Sequence, residues 1–430
     1  MTEINPLAEA LNRTLEQGHP SIAAMLSQRG RAIFFPTKGL LAQAAEAKAA
    51  SINATIGIGL DDDGLPMRLP AIARRIDLDP RKVFPYASSY GLAELRKAWQ
   101  VQIQKKNPSL SGPLSMPVVT SGLTHGLSMA GYLFVDEGDP LILPSVYWGN
   151  YRLVFRQNYG AVLKTYDPFS GNGYNLAGLK QQLEETKGKQ IVLLNFPHNP
   201  TGYSLTVDEA EAICKLLADS AQRGNKVVVL LDDAYFGLVY EAGIQRESLF
   251  GRLATLHENI LAVKIDGATK EDYAWGFRVG FVSFASKGAD GPVLKALEDK
   301  LAGALRSNIS SACHLSQSLI LEALTDASYD QEKAEKAALM QRRYEKVQEV
   351  LKTHKARFAS AFTALPFNSG YFMCLKMRDG VEAESVRKTL LESHGIGVIA
   401  TDNLVRIAFS SAPTDRIPDI FEAVYQVAKP

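Results

Sequence analysis

Cysteine is scarce in this chain: three residues in 430, Cys214, Cys313 and Cys374, too far apart to form a Cys-x-x-Cys pair. That argues against a structural zinc site and for a reducing compartment, the cytoplasm. The seven histidines include no His-x-His or His-Glu-x-x-His spacing, so a metal-based mechanism has no support. An excess of one charge is missing too. Lysine plus arginine number 47 against 46 for aspartate plus glutamate, a net +1 without long blocks of one sign, which argues against nucleic acid or an anionic membrane as the main partner. No run of about 18 apolar residues exists, which removes a membrane-spanning helix. Met1-Thr-Glu-Ile-Asn-Pro6 has an acidic residue at position 3 and no apolar core behind it, so it does not read as a signal peptide.

What is present is a soluble globular balance, 46% apolar and 22% charged, over a length that predicts two lobes. Residues 1 to about 50 read as a lead-in arm, with a helical pattern from Gly39 to Lys48. A helix is expected from Leu92 to about Lys105. From Val118 a strand, loop, helix order repeats. Apolar runs at Leu141–Pro144, Gln190–Asn195, Lys226–Asp232, Ile260–Ile265 and Val279–Phe284 read as buried strands, which predicts an open parallel sheet with ligands at its carboxyl ends. Thr206-Val-Asp-Glu209 is a capping box for a helix that stops at Gly224. A long charged helix from about Ser328 to His354 leads to a C-terminal lobe with alternating strands in Ser369–Lys376 and Leu404–Phe409.

The chemistry-bearing residues fall at predicted strand ends. Lys270 follows the strand ending at Ile265, and Arg278 comes eight residues later. Alone, they read as a solvated loop lysine and its neighbour, or as an amine nucleophile for a carbonyl cofactor beside a forked phosphate grip. Asp232 and Asp233 end an apolar strand beside Tyr235, a costly place for carboxylates unless a cation or a helix cap answers them. Ser121-Gly-Leu-Thr-His-Gly126 opens a helix whose amides suit a phosphate, or simply an N-cap. Ser145-Val-Tyr-Trp-Gly-Asn-Tyr151 is an aromatic cluster able to sandwich a flat ring, and Asn199 lies in the turn His198-Asn-Pro-Thr-Gly202. Gly57 and Gly59 allow close backbone approach, but no third glycine opens a helix after them, so they are not a dinucleotide fingerprint. Tyr86 reads as a surface anchor or a site residue, and Arg406 as a site residue or an ion-pair partner.

This set, in this order, resembles the fold-type I pyridoxal-phosphate aminotransferases, in particular the aspartate and aromatic amino-acid group, over roughly residues 50 to 410. The resemblance implies an α/β fold: a large domain with a mostly parallel seven-stranded sheet sandwiched by helices, and a smaller α+β domain built from both termini. It implies boundaries at 1–55, 56–325 and 326–430. Asn-Pro-Thr-Gly at 199–202 and Asp-x-Ala-Tyr at 232–235 are similar to two family motifs. They imply that Asp232 addresses the pyridine nitrogen of pyridoxal 5'-phosphate, while Asn199 and Tyr235 address its ring oxygen. Lys270 would carry the covalent link. Arg278, Gly122, Leu123 and Thr124 would bind phosphate, and Trp148 would stack on the ring. Arg406 would take the substrate α-carboxylate, with Gly59 lending backbone. Tyr86 would reach the phosphate of the partner in a homodimer, and Arg306 falls near the arginine that reads a second carboxylate in dicarboxylate-specific members, although similar arginines occur in members with other substrates. One departure stands out: Gly267 replaces the serine usual three residues before the lysine.

The expected activity is ping-pong transfer of an amino group between an L-amino acid, aspartate or glutamate or an aromatic one, and a 2-oxo acid. A carbon–sulfur lyase or an aminocyclopropane-type synthase would share the same lysine, aspartate and arginine. A cofactor-binding transcriptional regulator would need a basic domain ahead of the fold, for which the first 50 residues are too few and too neutral.

Overall fold

The structure, a computed structural model, describes residues 5–18, 40–55, 57–74 and 78–430. Half of the lead-in arm, including Gly39, lies outside the described residues. Seven strands form the large sheet: β1 (Val118–Ser121), β2 (Pro140–Pro144), β3 (Val162–Tyr166), β4 (Lys189–Asn195), β5 (Lys226–Asp232), β6 (Ile260–Asp266) and β7 (Val279–Ala285), in the order β1-β7-β6-β5-β4-β2-β3. β7 alone runs antiparallel to its neighbours. The other contacts are parallel. Val192, Leu193 and Leu194 of β4 and Val229, Leu230 and Leu231 of β5 are all buried, the condition that makes a central parallel strand a continuous apolar run.

The helices around the sheet include α1 (Ala93–Lys106), α2 (Leu123–Phe134), α3 (Val207–Gln222), α4 (Gly291–Asn308) and α5 (Tyr329–Thr353). α3 starts with the expected capping box, Thr206 Oγ1 accepting from the Glu209 amide at 3.2 Å while Glu209 Oε2 accepts from the Thr206 amide at 2.9 Å. Gly224, at φ +91°, stands just past its end.

A second, antiparallel sheet holds β8 (Phe362–Ala364), β9 (Phe372–Met377), β10 (Ile399–Thr401) and β11 (Leu404–Ala408) in the order β8-β9-β11-β10. Ile52–Asn53, from the other end of the chain, pairs in parallel with Ile396–Gly397. Ile52 and Ala54 share a buried cluster with Val405 and Ile407, separate from the cluster of the large sheet. The long helix belongs to both. Tyr329, Leu339 and Met340 pack in the first cluster, Tyr344, Val347 and Val350 in the second. At 1.5 Å per residue, 25 residues span roughly 37 Å, enough to cross from one core to the other.

One consequence of the topology places everything functional. With β7 reversed, its first residues meet the carboxyl ends of β1 and β6, Val279 pairing with Ser121 and Phe281 with Asp266, and the same edge continues through the ends of β5 and β4, where Asp232 pairs with Asn195. All five ends lie on one edge of the sheet, where open α/β proteins bind their ligands.

Candidate active site

At that edge lies a cavity of about 170 Å³ lined by nine of the residues singled out in the sequence: Leu123, Thr124, Trp148, Asn199, Asp232, Tyr235, Lys270, Arg278 and Arg406. Asp232 closes its floor at 3% exposure. Its Oδ2 accepts from the Tyr151 hydroxyl at 2.5 Å and its Oδ1 from the Ala234 amide at 3.2 Å. Burial pushes this carboxyl above its ordinary value, opposed by the Tyr151 bond and the charge of Lys270. The Tyr151 phenol is pushed well above its own range by burial and by that carboxylate, so it remains a donor. Asn195, register partner of Asp232, donates from Nδ2 to the Asp232 carbonyl at 2.7 Å and accepts the Asn199 amide on Oδ1 at 2.8 Å, which ties two strand ends together. The neighbouring Asp233 has its own answer, an ion pair with the fully buried Lys264.

Lys270 stands on a one-turn helix, Ala268–Glu271, directly after β6. Its Nζ lies 5.1 Å from the Tyr235 ring centroid. Burial pulls the amine down to about 8, helped by Arg278 and opposed by Asp232. An amine in that range loses its proton near neutrality, as a nucleophile must.

Arg278 adopts a left-handed backbone, φ +54°, at the start of β7. Its guanidinium lies across Gly122, the N-cap of α2, so closely that a Cβ there would sit 2.5 Å from Arg278 Nη2. Gly122 is also at φ +77°. Glycine is therefore required twice over at this point, once by the backbone and once by the approach of the cation. The unpaired amides at the start of α2, with the Thr124 side chain and Arg278, make an anion site.

On the opposite wall Arg406, from β11, is 5% exposed. Nη1 donates to Asn199 Oδ1 at 3.2 Å and Nη2 to the Thr55 carbonyl at 2.8 Å, with the guanidinium 4.2 Å from the Phe372 ring centroid. Its buried Nε has no partner. A buried guanidinium donor left unpaired is costly, and a bound carboxylate would satisfy the group.

Four expected residues do not line this cavity: Gly122 lies against the Arg278 guanidinium, and Gly59, Tyr86 and Arg306 stand apart from it. Gly59 packs elsewhere: its carbonyl accepts the Met67 amide at 3.0 Å, and a Cβ would lie 2.7 Å from Met67 Sδ. The glycine on the cavity wall is Gly57, where a Cβ would meet Phe372 Cζ at 3.1 Å. Tyr86 is 95% exposed, and Arg306, on the last turn of α4, is exposed and donates to Ser310 Oγ at 2.9 Å. Within one chain neither reaches the site. The sequence reading also missed Asn195, Tyr151, Thr269 and Phe372, which line the cavity.

The class I and II aminotransferase family matches residues 51–424. The chain belongs to that family. Among curated relatives it is 28% identical over 293 residues to a Bacillus subtilis protein named "Probable N-acetyl-LL-diaminopimelate aminotransferase", covering 68% of this chain and 66% of that one. It is 28% identical over 279 residues to the aspartate aminotransferase of Bacillus sp. strain YM-2, covering 64% of this chain and 66% of that one. The matched stretch thus spans about two thirds of the length of these relatives. An aminotransferase from Anaerococcus prevotii superposes with a TM-score of 0.83 at 25% identity, covering 94% of this chain and all of that one.

Pyridoxal 5'-phosphate is the cofactor of this family, and the cavity fits it in its donor set. The cradle at Gly122, which any Cβ would fill, joins backbone amides to Arg278, and Lys270 presents a deprotonatable amine between that cradle and the buried Asp232. The departure at Gly267 has a steric cause. A Cβ there would lie 2.5 Å from the Val279 carbonyl oxygen and 2.8 Å from Gly280 Cα, both backbone. Gly267→Ser is therefore expected to lower stability by about 1–3 kcal/mol through overpacking, without tightening cofactor binding. Thermal denaturation and a cofactor titration would check this, and a serine variant that binds more tightly at unchanged stability would refute it.

Proposed function

We propose that this family member moves an amino group between an L-amino acid, aspartate or glutamate or an aromatic one, and a 2-oxo acid by a ping-pong mechanism. The observation that carries the reading is the buried Arg406, with an unpaired Nε on the wall of the same cavity as the Lys270 amine. When bound, pyridoxal phosphate supplies the aldehyde and the electron sink. The chain does the rest. Arg406 and Asn199 fix the substrate carboxylate, which turns the Cα proton toward Lys270. Lys270 Nζ takes that proton from Cα as the general base, and its conjugate acid then serves as the proton donor of the following transfer. Asp232, held by Tyr151 and the Ala234 amide, would hold the ring nitrogen in its charged form, and Asn199 and Tyr235 would serve the ring oxygen. Trp148 would stack on the ring, and Leu123, Thr124, Gly122 and Arg278 would hold the phosphate.

The reading includes a cytoplasmic homodimer. Free cysteine thiols suit a reducing compartment, and the exposed Phe84 (84%) and Tyr86 (95%) form an apolar projection that a second copy would cover. In that arrangement Tyr86 reaches the partner's phosphate site, and Arg306, the partner's second-carboxylate site. The test is a substrate panel with 2-oxoglutarate as acceptor. Wild type is expected to consume aspartate or phenylalanine with stoichiometric amino transfer, whereas pyruvate and ammonia released without an acceptor would point to a lyase. Arg306→Leu is expected to lower kcat/KM for aspartate and glutamate by about 10²-fold, the loss of a bidentate charged contact, and to leave phenylalanine within about twofold. An unchanged profile would remove Arg306 from the site.

A further inference from the structure

Behind the lysine-bearing turn lies a buried group of charges that the reaction above does not use. Glu271, next in sequence to Lys270 and 3% exposed, accepts from Lys106 Nζ at 2.8 and 3.0 Å and from Lys333 Nζ at 2.7 Å. Asp272, 1% exposed, accepts from Lys333 Nζ at 2.8 Å and from the Tyr329 hydroxyl at 2.6 Å. Neither carboxylate lines the cavity. On the other side of the turn, the hydroxyl of the fully buried Tyr371 donates to the Lys270 carbonyl at 2.9 Å.

The turn needs such support. Four helical residues have no stability of their own, because nucleation costs more than a single turn returns. The chain enters it through Gly267 and leaves it through Tyr273, at φ +55°. Its orientation, and with it the direction of the Lys270 side chain, must come from tertiary contacts. Buried ion pairs add little net stability for their desolvation cost, but they admit few geometries. Lys333 and Tyr329 belong to α5, the helix that joins the two cores, and Tyr371 immediately precedes β9. β9 pairs with β11 so that Cys374 faces Arg406. The strand paired with the one that carries Arg406 is therefore entered through the residue that holds the amine-bearing turn.

We propose that Lys333 and Tyr371 are positioning residues for Lys270, setting the amine against the substrate carbon that Arg406 presents. The inference rests on Lys270 being the reacting amine. It is tested on full-length protein mixed with pyridoxal phosphate, following the rate at which borohydride traps an adduct on the Lys270 peptide, together with kcat and KM. Tyr371→Phe removes one hydroxyl and leaves the ring packing, and is expected to slow trapping and lower kcat about tenfold with KM within about twofold. Lys333→Met is expected to lower both by about 10²-fold. Because Lys333→Met leaves two buried carboxylates short of a partner and is the variant at risk of not folding, Tyr371→Phe decides the matter. A purely structural role would lower the amount of folded protein and leave trapping rate and kcat per folded molecule unchanged, which would overturn the proposal. A wild-type protein that forms no adduct would overturn the functional reading and this one with it. A wild-type adduct with an unaltered Tyr371→Phe rate would overturn the positioning alone.

Discussion

Lys270→Ala is expected to lower turnover by about 10⁴-fold, the upper end of what one general acid–base group supplies, and to abolish the borohydride-trapped adduct on that peptide. The loss should appear in kcat, because in the proposed reading Arg406 and Asn199, which are hydrogen-bonded to each other on the cavity wall, take the α-carboxylate and the amine does not. The wild-type trapping rate should also carry the signature of the lowered amine. Lys270 titrates near 8, below the ordinary 10.5, so protons leave it as pH rises through about 8. Trapping should therefore speed up through that range and level off above it. The charged groups that face Lys270 are Arg278, which adds to the lowering, and Asp232, which opposes it. A trapping rate flat from pH 6.5 to 9.5, or a Lys270→Ala protein with more than about a hundredth of wild-type turnover, would remove the lysine from its role.

What the sequence disclosed and what it withheld have the same physical root. Periodicity locates where a buried strand ends, because burial on both faces forces an uninterrupted apolar run, and strand ends are where an open sheet binds ligands. Asp232, Asn199 and Lys270 were legible for that reason, and the α3 capping box could be read to the residue. What periodicity does not carry is which side chain crosses from one strand to the next. Asn195 is the last residue of β4 and its function depends on register with Asp232, a long-range fact. Its one local signal is a polar residue closing an apolar run before Phe196-Pro197. Tyr151 gave a fainter signal, a third aromatic at helical spacing from Tyr147 and Trp148. Gly57 and Gly59 are two residues apart, and local sequence offers nothing to rank them; the choice falls to Met67, which occupies the space beside Gly59. The break expected between 325 and 326 precedes a helix that serves both cores, because 25 residues of helix can carry apolar residues for one core at one end and for the other at its far end.

Asp232→Asn tests the other pole of the cavity, and its two readouts move in opposite directions. Turnover should fall by about 10²–10³-fold, the scale for removing one preorganised charge from a water-excluded site. Tyr151→Phe, which deletes one hydrogen bond to that carboxylate and keeps its charge, should cost only about tenfold. Stability without cofactor should change the other way. Burial raises the Asp232 carboxyl in the folded chain above its unfolded value of 3.8, so at pH above that value the folded state holds a proton more readily than the unfolded one. Wild-type stability therefore declines as pH rises from about 4 through the raised folded-state value, after which the penalty is constant. Asparagine has no such penalty. Cofactor-free Asp232→Asn protein should match wild type in melting temperature at pH 4 and melt higher at pH 7, while cofactor should stabilise wild type at pH 7 more than the variant. A variant that melts lower than wild type at pH 7 without cofactor would mean that the carboxylate is structural, already compensated by Tyr151 and Lys270. Full turnover in that variant would show that the charge at the cavity floor does not act on the ring.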